Sequence, residues 1–257
     1  MNKFFKRMTA VFLAVSTTAA SILMPATCIY AAQTAATTQN TQAAQTTQNS
    51  QNTQTTKNTQ EYDWPQAPDI VAQSAILIDA DTGAILYEKD AHAKGYPAST
   101  TKILTGLLTI ENCGLDETVT FSSAAANSVT YEDASLGTKA GEQYSVEQAL
   151  YGLLLYSANE IAYGLAEHVS GSLAAFTELM NKRAKELGAI NTHFANASGL
   201  HDVNHYTTAY DMAMIAKGCY NNSTFVNIDS TSTTYTIPPT NKTDTARNFK
   251  HRHLMLK

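Results

Sequence analysis

From Gln33 to Gln60 the chain reads QTAATTQNTQAAQTTQNSQNTQTTKNTQ, with Lys57 as its only charge and no aromatic residue. Such a tract cannot bury enough apolar surface to offset the entropy of ordering its backbone, so no hydrophobic core can include it. The folded part is expected to start beyond it, near Tyr62. The segment ahead opens with Lys3, Lys6 and Arg7, passes through an apolar stretch and reaches the small-residue site IYAA. That is the pattern of a secretory signal peptide, cleaved after Ala31 or Ala32. Ser16, Thr17, Thr18, Ser21 and Pro25 interrupt the apolar stretch and argue against a membrane anchor, while Pro25 and Thr27 do not suit lipidation of Cys28. The expected division is a signal peptide over 1–31, a disordered Thr/Gln/Asn-rich spacer over 32–61 and one folded domain over 62–257.

Cleavage would remove three of the 17 Lys and Arg residues and none of the 22 Asp and Glu residues, leaving 14 against 22, a net charge of −8. An acidic exported domain is a poor partner for nucleic acid, whose phosphates are neutralised by Lys and Arg. Cys113 and Cys219 remain in the domain. An oxidising compartment permits a bridge between them, but free thiols are the default for two cysteines so far apart, and no CxxC or His-rich spacing points to a metal.

The domain opens with SAILIDADTGAILYEKD, two strand-like runs around DADTG, whose Asp and Gly residues suit a hairpin turn. Helical patterns follow. One begins at Ser99; a second, VEQALYGLLLY, is preceded by Ser145 with Gln148 three positions on, the spacing of a capping box. EIAYGLAEHVSG starts just after SAN, and SLAAFTELMNKRAKELG ends on Gly188. TTAYDMAMIAKGCY repeats the capping spacing with Thr208 and Asp211, and STSTTYTIPPT, rich in β-branched residues, reads as a strand closed by Pro238 and Pro239. Strands at both ends of a helical middle predict an α+β fold whose terminal segments share one antiparallel sheet.

Within PASTTK, Ser99 and Lys102 are three positions apart and meet on one helix face if the helix has already begun at Ser99. Ser99 is then either a helix cap or a nucleophile near the positive end of the helix dipole, with Lys102 as its base. A lysine base must be neutral, and the apolar Ile103, Leu104, Leu107 and Leu108 are consistent with the burial that lowers an ammonium pKa. The second candidate element is YSANE, where Ser157 and Asn159 sit in a break between two apolar helices. A hydroxyl and an amide there are placed to relay a proton and to hold a substrate amide, and Asn159 would serve equally as a cap.

Taken together, PASTTK and YSANE resemble the first two motifs of the serine-and-lysine acyltransferases that include penicillin-binding proteins and β-lactamases. AILIDADTGAILYEKDAHAKGYPASTTKILTGLL and THFANASGLHDVNHYTTAYDMAMIAKG extend the resemblance to the exported D-alanyl-D-alanine carboxypeptidases, the low-molecular-weight penicillin-binding proteins of peptidase family S11. That resemblance implies a β-lactamase/DD-peptidase-like fold, an antiparallel sheet flanked by helices with a helical subdomain. It makes Ser99 the acylated nucleophile, Lys102 its general base, Ser157 a proton relay and Asn159 a ligand for the substrate backbone. The implied substrate is a peptidoglycan stem peptide that loses its terminal D-alanine, with β-lactams as inhibitors and with neither metal nor cofactor. An endopeptidase acting on D-alanyl cross-links is the nearest alternative. His193, His201 and His205 raise the idea of a histidine base or metal, which the family does not use.

The third element of the family, Lys-Thr-Gly on a strand beside the nucleophile, has no counterpart here: Lys242-Thr243 is followed by Asp244. ARNFKHRHLMLK resembles the stretch that shortly precedes it. The expectation is therefore a partial domain, with the third element and any membrane anchor beyond Lys257, and an inactive fragment if the product ends there. A class A β-lactamase would need a deacylating glutamate about 36 positions past the second motif; none occurs between Leu187 and Lys257.

Overall fold

The computed structural model describes residues 13–15, 66–130 and 132–252. Apart from 13–15, the expected signal peptide and spacer lie outside the described residues.

Strand β1 (Leu13–Val15) pairs antiparallel with β2 (Ser74–Ile78), which in turn pairs antiparallel with β3 (Ile85–Lys89). The turn between β2 and β3 forms where DADTG predicts it. The Asp79 carboxylate accepts from the Thr82 N–H at 2.7 Å and from its hydroxyl at 2.6 Å. A 3-10 turn (Ala98–Thr101) leads into α1 (Lys102–Asn112), followed by β4 (Thr118–Thr120), α2 (Ser123–Ala126) and β5 (Gln143–Ser145). Next come α3 (Val146–Tyr156), α4 (Asn159–Ser170) and α5 (Leu173–Glu186), then α6 (Ala209–Tyr220), α7 (Ser223–Asp229), β6 (Tyr235–Ile237) and β7 (Arg247–Phe249). The local signals act as expected: Ser145 and Gln148 close a reciprocal capping box at α3, and Thr208 accepts from the Asp211 N–H at the start of α6.

Helix α1 is central. Leu104, Leu107 and Leu108 are buried with Leu150 and Leu153 of α3, Ile161 and Leu165 of α4 and Phe176 and Met180 of α5. Each such side chain contributes about 1.5–3 kcal/mol on burial, so this cluster dominates the stability of the domain and holds the N-termini of α1 and α4 in register. A smaller cluster joins Ile76 and Ile78 of β2 to Ala209 and Ala213 of α6, covering one face of the β2–β3 hairpin.

The expectation of one sheet shared by both ends does not hold among the described residues. β4 pairs with β5 and β6 with β7, both antiparallel and both separate from β2–β3. Aromatic packing gives the reason. Tyr235 of β6 stacks on Tyr151 of α3 at 3.7 Å between ring centroids, and Phe249 of β7 lies 5.7 Å from the ring of Tyr156. Ile237 and Phe249 enter the helical core, so this hairpin is held by α3 and not by a strand of the first sheet. Buried Glu142 adds a polar anchor, accepting from Arg247 at 2.8 Å and from the Thr240 hydroxyl at 2.6 Å.

Close approach also fixes Gly164 of α4, where a Cβ would overlap the fully buried ring of Phe121. Gly164→Ala gains about 1 kcal/mol of helix propensity but forces a shift costing about 1–3 kcal/mol. A net destabilisation of up to about 2 kcal/mol is expected, read as a lower midpoint in urea unfolding; a raised midpoint would show that Phe121 yields freely.

Candidate active site

Two helix starts form the site. Lys102 is the first residue of α1 and Asn159 the first of α4. Because the two helices pack side by side in the core, both residues face the same spot. Lys102 is 2% exposed. Its Nζ lies 3.2 Å from Ser99 Oγ, 2.6 Å from Asn159 Oδ1 and 2.7 Å from the Ser198 carbonyl oxygen. The amide oxygen and the carbonyl can only accept, so both must receive N–H bonds from Lys102. Ser99 alone of the three carries a proton it can give. A neutral amine at this position therefore points its lone pair at Ser99, the arrangement needed to deprotonate a serine.

Charge state agrees with this. Burial pushes the Lys102 ammonium down to about 7, against the pull of the Glu160 and Asp133 carboxylates, with the Arg252 guanidinium adding to the fall. Near neutral pH a substantial fraction of Lys102 is thus an amine.

Ser99 is not a cap. The 3-10 turn is preceded by Pro97 and α1 by Thr101, neither with a side-chain capping bond. The Thr100 hydroxyl donates instead to the Pro97 carbonyl at 2.6 Å. Ala98, next to Ser99, has φ +48, and Ser157 has φ +66 as the C-cap of α3. These are two of the three non-glycine residues with positive φ among the described residues, a backbone strain that concentrates at functional sites. Ser157 is placed next to Asn159 by this turn, but its hydroxyl stands outside the hydrogen bonds that join Ser99, Lys102 and Asn159.

The loop 195–200 closes over Lys102, a role the motifs did not reveal. Asn196 shapes it, its Oδ1 accepting from the Gly199 N–H at 2.7 Å and its Nδ2 donating to the Leu200 carbonyl at 2.8 Å. Successive carbonyls then dock on α1: Ala197 accepts from the Thr105 hydroxyl at 2.7 Å, and Ser198 from Lys102. Gly199, with φ +87, lies so close to the turn that carries Ser99 that a Cβ would overlap the Ala98 carbonyl. A glycine followed by leucine in FANASGL was the available signal, but spacing could not say what the loop touches.

His193 Nδ1 is bonded to the Asn204 carbonyl at 2.6 Å, and His205 is turned inward on protein partners. Among the described residues, one ligand atom each from Cys113, Glu117 and His168 lie within 4.8 Å of one another. Cys113 caps the C-terminus of α1, about 16 Å along the helix from Lys102 by its rise per residue, His168 lies in the last turn of α4 and Glu117 just ahead of β4, so the three take no part in the site. Cys113 and Cys219 are both free thiols.

Comparison with known proteins gives one consistent result. A family model described as Peptidase_S11, D-alanyl-D-alanine carboxypeptidase, matches residues 61–251. A D-alanyl-D-alanine carboxypeptidase of Bacillus subtilis strain 168 is 40% identical over 151 residues, covering 57% of this chain and 38% of that protein. One from Streptomyces sp. strain K15 is 35% identical over 191 residues, covering 71% of this chain and 65% of the relative. The crystal structure of the S216A mutant of the Streptomyces K15 DD-transpeptidase superposes with a TM-score of 0.70 at 30% identity, covering 74% of this chain and 78% of that one. A D-alanyl-D-alanine carboxypeptidase structure from Mycobacterium tuberculosis H37Rv gives 0.67 at 30% identity, covering 74% and 70%. The α+β fold is therefore that of the DD-peptidases. The chain spans about two fifths of the length of several of the curated relatives it matches, 38% in one case and 40% in another.

Proposed function

The chain belongs to the S11 family of D-alanyl-D-alanine carboxypeptidases, and on that premise we propose that it removes the terminal D-alanine from peptidoglycan pentapeptides through an acyl-enzyme on Ser99. The observation that carries this reading is the three-way contact of Lys102 Nζ, with two acceptor-only partners and Ser99 as the third. Neutral Lys102 takes the Ser99 hydroxyl proton as Oγ attacks the carbonyl of the penultimate D-alanine. The Ser99 backbone N–H, in the first turn ahead of α1, stabilises the oxyanion, an effect of about 3 kcal/mol per donor. Collapse breaks the C–N bond, and the proton passes to the leaving amine of D-alanine, with Ser157 as relay. Water then attacks the ester, Lys102 again accepting a proton, and Ser99 is restored. Asn159 divides its amide: Oδ1 holds Lys102, and Nδ2 is the group available to the substrate backbone.

A β-lactam places its ring carbonyl where the scissile carbonyl would be, so penicillin acylates Ser99 without releasing a leaving group. Incubating the full-length gene product with penicillin and digesting it is expected to show one penicilloyl adduct, on the peptide carrying Ser99. An adduct elsewhere, or none alongside unimpaired D-alanine release, would overturn the assignment. Export fits the substrate: the basic and apolar opening of the chain reads as a leader, and the Gln33–Gln60 tract as a tether. Processing after Ala31 or Ala32 would carry β1 away with the leader. Among the described residues no helix is long and apolar enough to cross a membrane.

A further inference from the structure

We propose that His205 is a positioning residue for acyl transfer, clamping the nucleophile turn to the loop that holds the catalytic lysine. The proposal rests on the reading of Ser99 and Lys102 given above. His205 is 2% exposed, and both ring nitrogens are used inside the protein. Nδ1 accepts from the Ala195 backbone N–H at 3.1 Å, and Nε2 lies 2.8 Å from Thr101 Oγ1. A backbone N–H can only donate, so the lone pair is on Nδ1 and the proton on Nε2, which donates to Thr101. The tautomer is thus fixed by the backbone.

The two ends of this bridge are the two parts of the site that must not move apart. Thr101 closes the turn that carries Ser99 and directly precedes Lys102. Ala195 opens the loop whose Ser198 carbonyl holds Lys102 Nζ. The bridge spans 104 positions on one side and 10 on the other, so the imidazole ties together segments far apart along the chain, at the opposite end of the loop from the bonds that Ala197 and Ser198 make to α1. With no lone pair on Nε2, His205 takes no proton from Ser99. Its contribution is geometric: an error of about 1 Å between reacting groups costs up to about a hundredfold in rate.

Phe194 packs edge-on against the ring at 5.4 Å, which keeps the imidazole plane in line with both bonds. Glutamine can reproduce the pattern, with Oε1 accepting from Ala195 and Nε2 donating to Thr101; leucine fills the volume and does neither. Stopped-flow acylation of the full-length gene product by a fluorescent penicillin, normalised to titrated active sites, separates the pre-covalent dissociation constant from the acylation rate constant. His205→Leu and Thr101→Val are each expected to slow acylation about tenfold or more with the dissociation constant changed less than about threefold. The double variant should be no slower than the slower single one, because both cut the same bridge. His205→Gln should recover most of the loss. Additive losses, a rate loss in His205→Leu that Gln does not recover, or an unchanged rate in Thr101→Val would each overturn the proposal. If His205→Leu does not fold, the Thr101→Val and Gln rates still decide it.

A nitrogen-15 spectrum of the wild-type imidazole is independent of activity. The Nε2–H tautomer is expected for His205, and the Nδ1–H form would overturn the clamp whatever the assays give. Failure of wild-type protein to label at Ser99 would instead remove the proposed function.

Discussion

Lys102→Arg is expected to slow penicillin acylation of Ser99 about a thousandfold, within the range lost when a positioned acid–base group is removed. Arginine keeps a positive charge and several donors for Asn159 Oδ1 and the Ser198 carbonyl, but it does not lose its proton and has no lone pair for Ser99. The wild-type pH profile carries the same logic. Burial holds the Lys102 pKa at about 7, well below the ordinary lysine value, so the reactive form is the one present above that pH. Acylation should therefore level off above about pH 7 and fall roughly tenfold per unit below it. Lowering the folded-state pKa of a lysine also means that the unfolded chain takes up this proton first as pH falls from 10.5 towards 7. The contribution of Lys102 to stability thus declines across that window and is level below it. An acylation rate that is flat from pH 5 to 9, or an arginine variant within tenfold of wild type, would rule Lys102 out as the base.

Gly199→Ala should also have a large effect, although residue 199 donates no group to the reaction. At φ +87 an L-residue is strained by about 1–2 kcal/mol, and the added Cβ would overlap the Ala98 carbonyl, backbone that cannot rotate away. Either the loop 195–200 lifts or the Ala98–Ser99 turn is pushed aside. In both cases the distance between Lys102 and one of its partners changes. Acylation is expected to fall about a hundredfold, with the far-ultraviolet circular dichroism unchanged because α1 and the helical core do not depend on the contact. A rate within threefold of wild type would show that the turn and the loop are mechanically independent, which would weaken the clamp assigned to His205 as well.

The parts of the fold legible in the sequence are those fixed by neighbours. The capping box of Ser145 and Gln148, the cap of Thr208 over Asp211 and the Asp79 turn all join residues no more than three positions apart. Ser99 and Lys102 were legible for the same reason, since one helical turn brings them within reach. The second motif was legible in place but not in detail: Asn159 reaches Lys102, whereas Ser157 is set beside it by a left-handed turn that no spacing rule announces.

What the sequence could not decide depends on segments far apart along the chain. The Ser198 carbonyl is 96 positions from Lys102, and His205 is 104 from Thr101. A backbone carbonyl has no sequence signature, and a histidine in a loop looks the same whether it is a base, a ligand or a clamp. The pairing of β6 with β7 instead of with the first sheet was settled by rings on α3 more than 80 positions away, 84 from Tyr151 to Tyr235. By itself, then, the sequence of this protein determined its local turns, its caps and the pairing of a serine with a lysine, because those rest on bonds between near neighbours. Only the tertiary structure decided that Ser99 is no helix cap and that Lys102 is dry enough to lose its proton near pH 7. Both depend on which distant surfaces close over the N-terminus of α1 and exclude water from it.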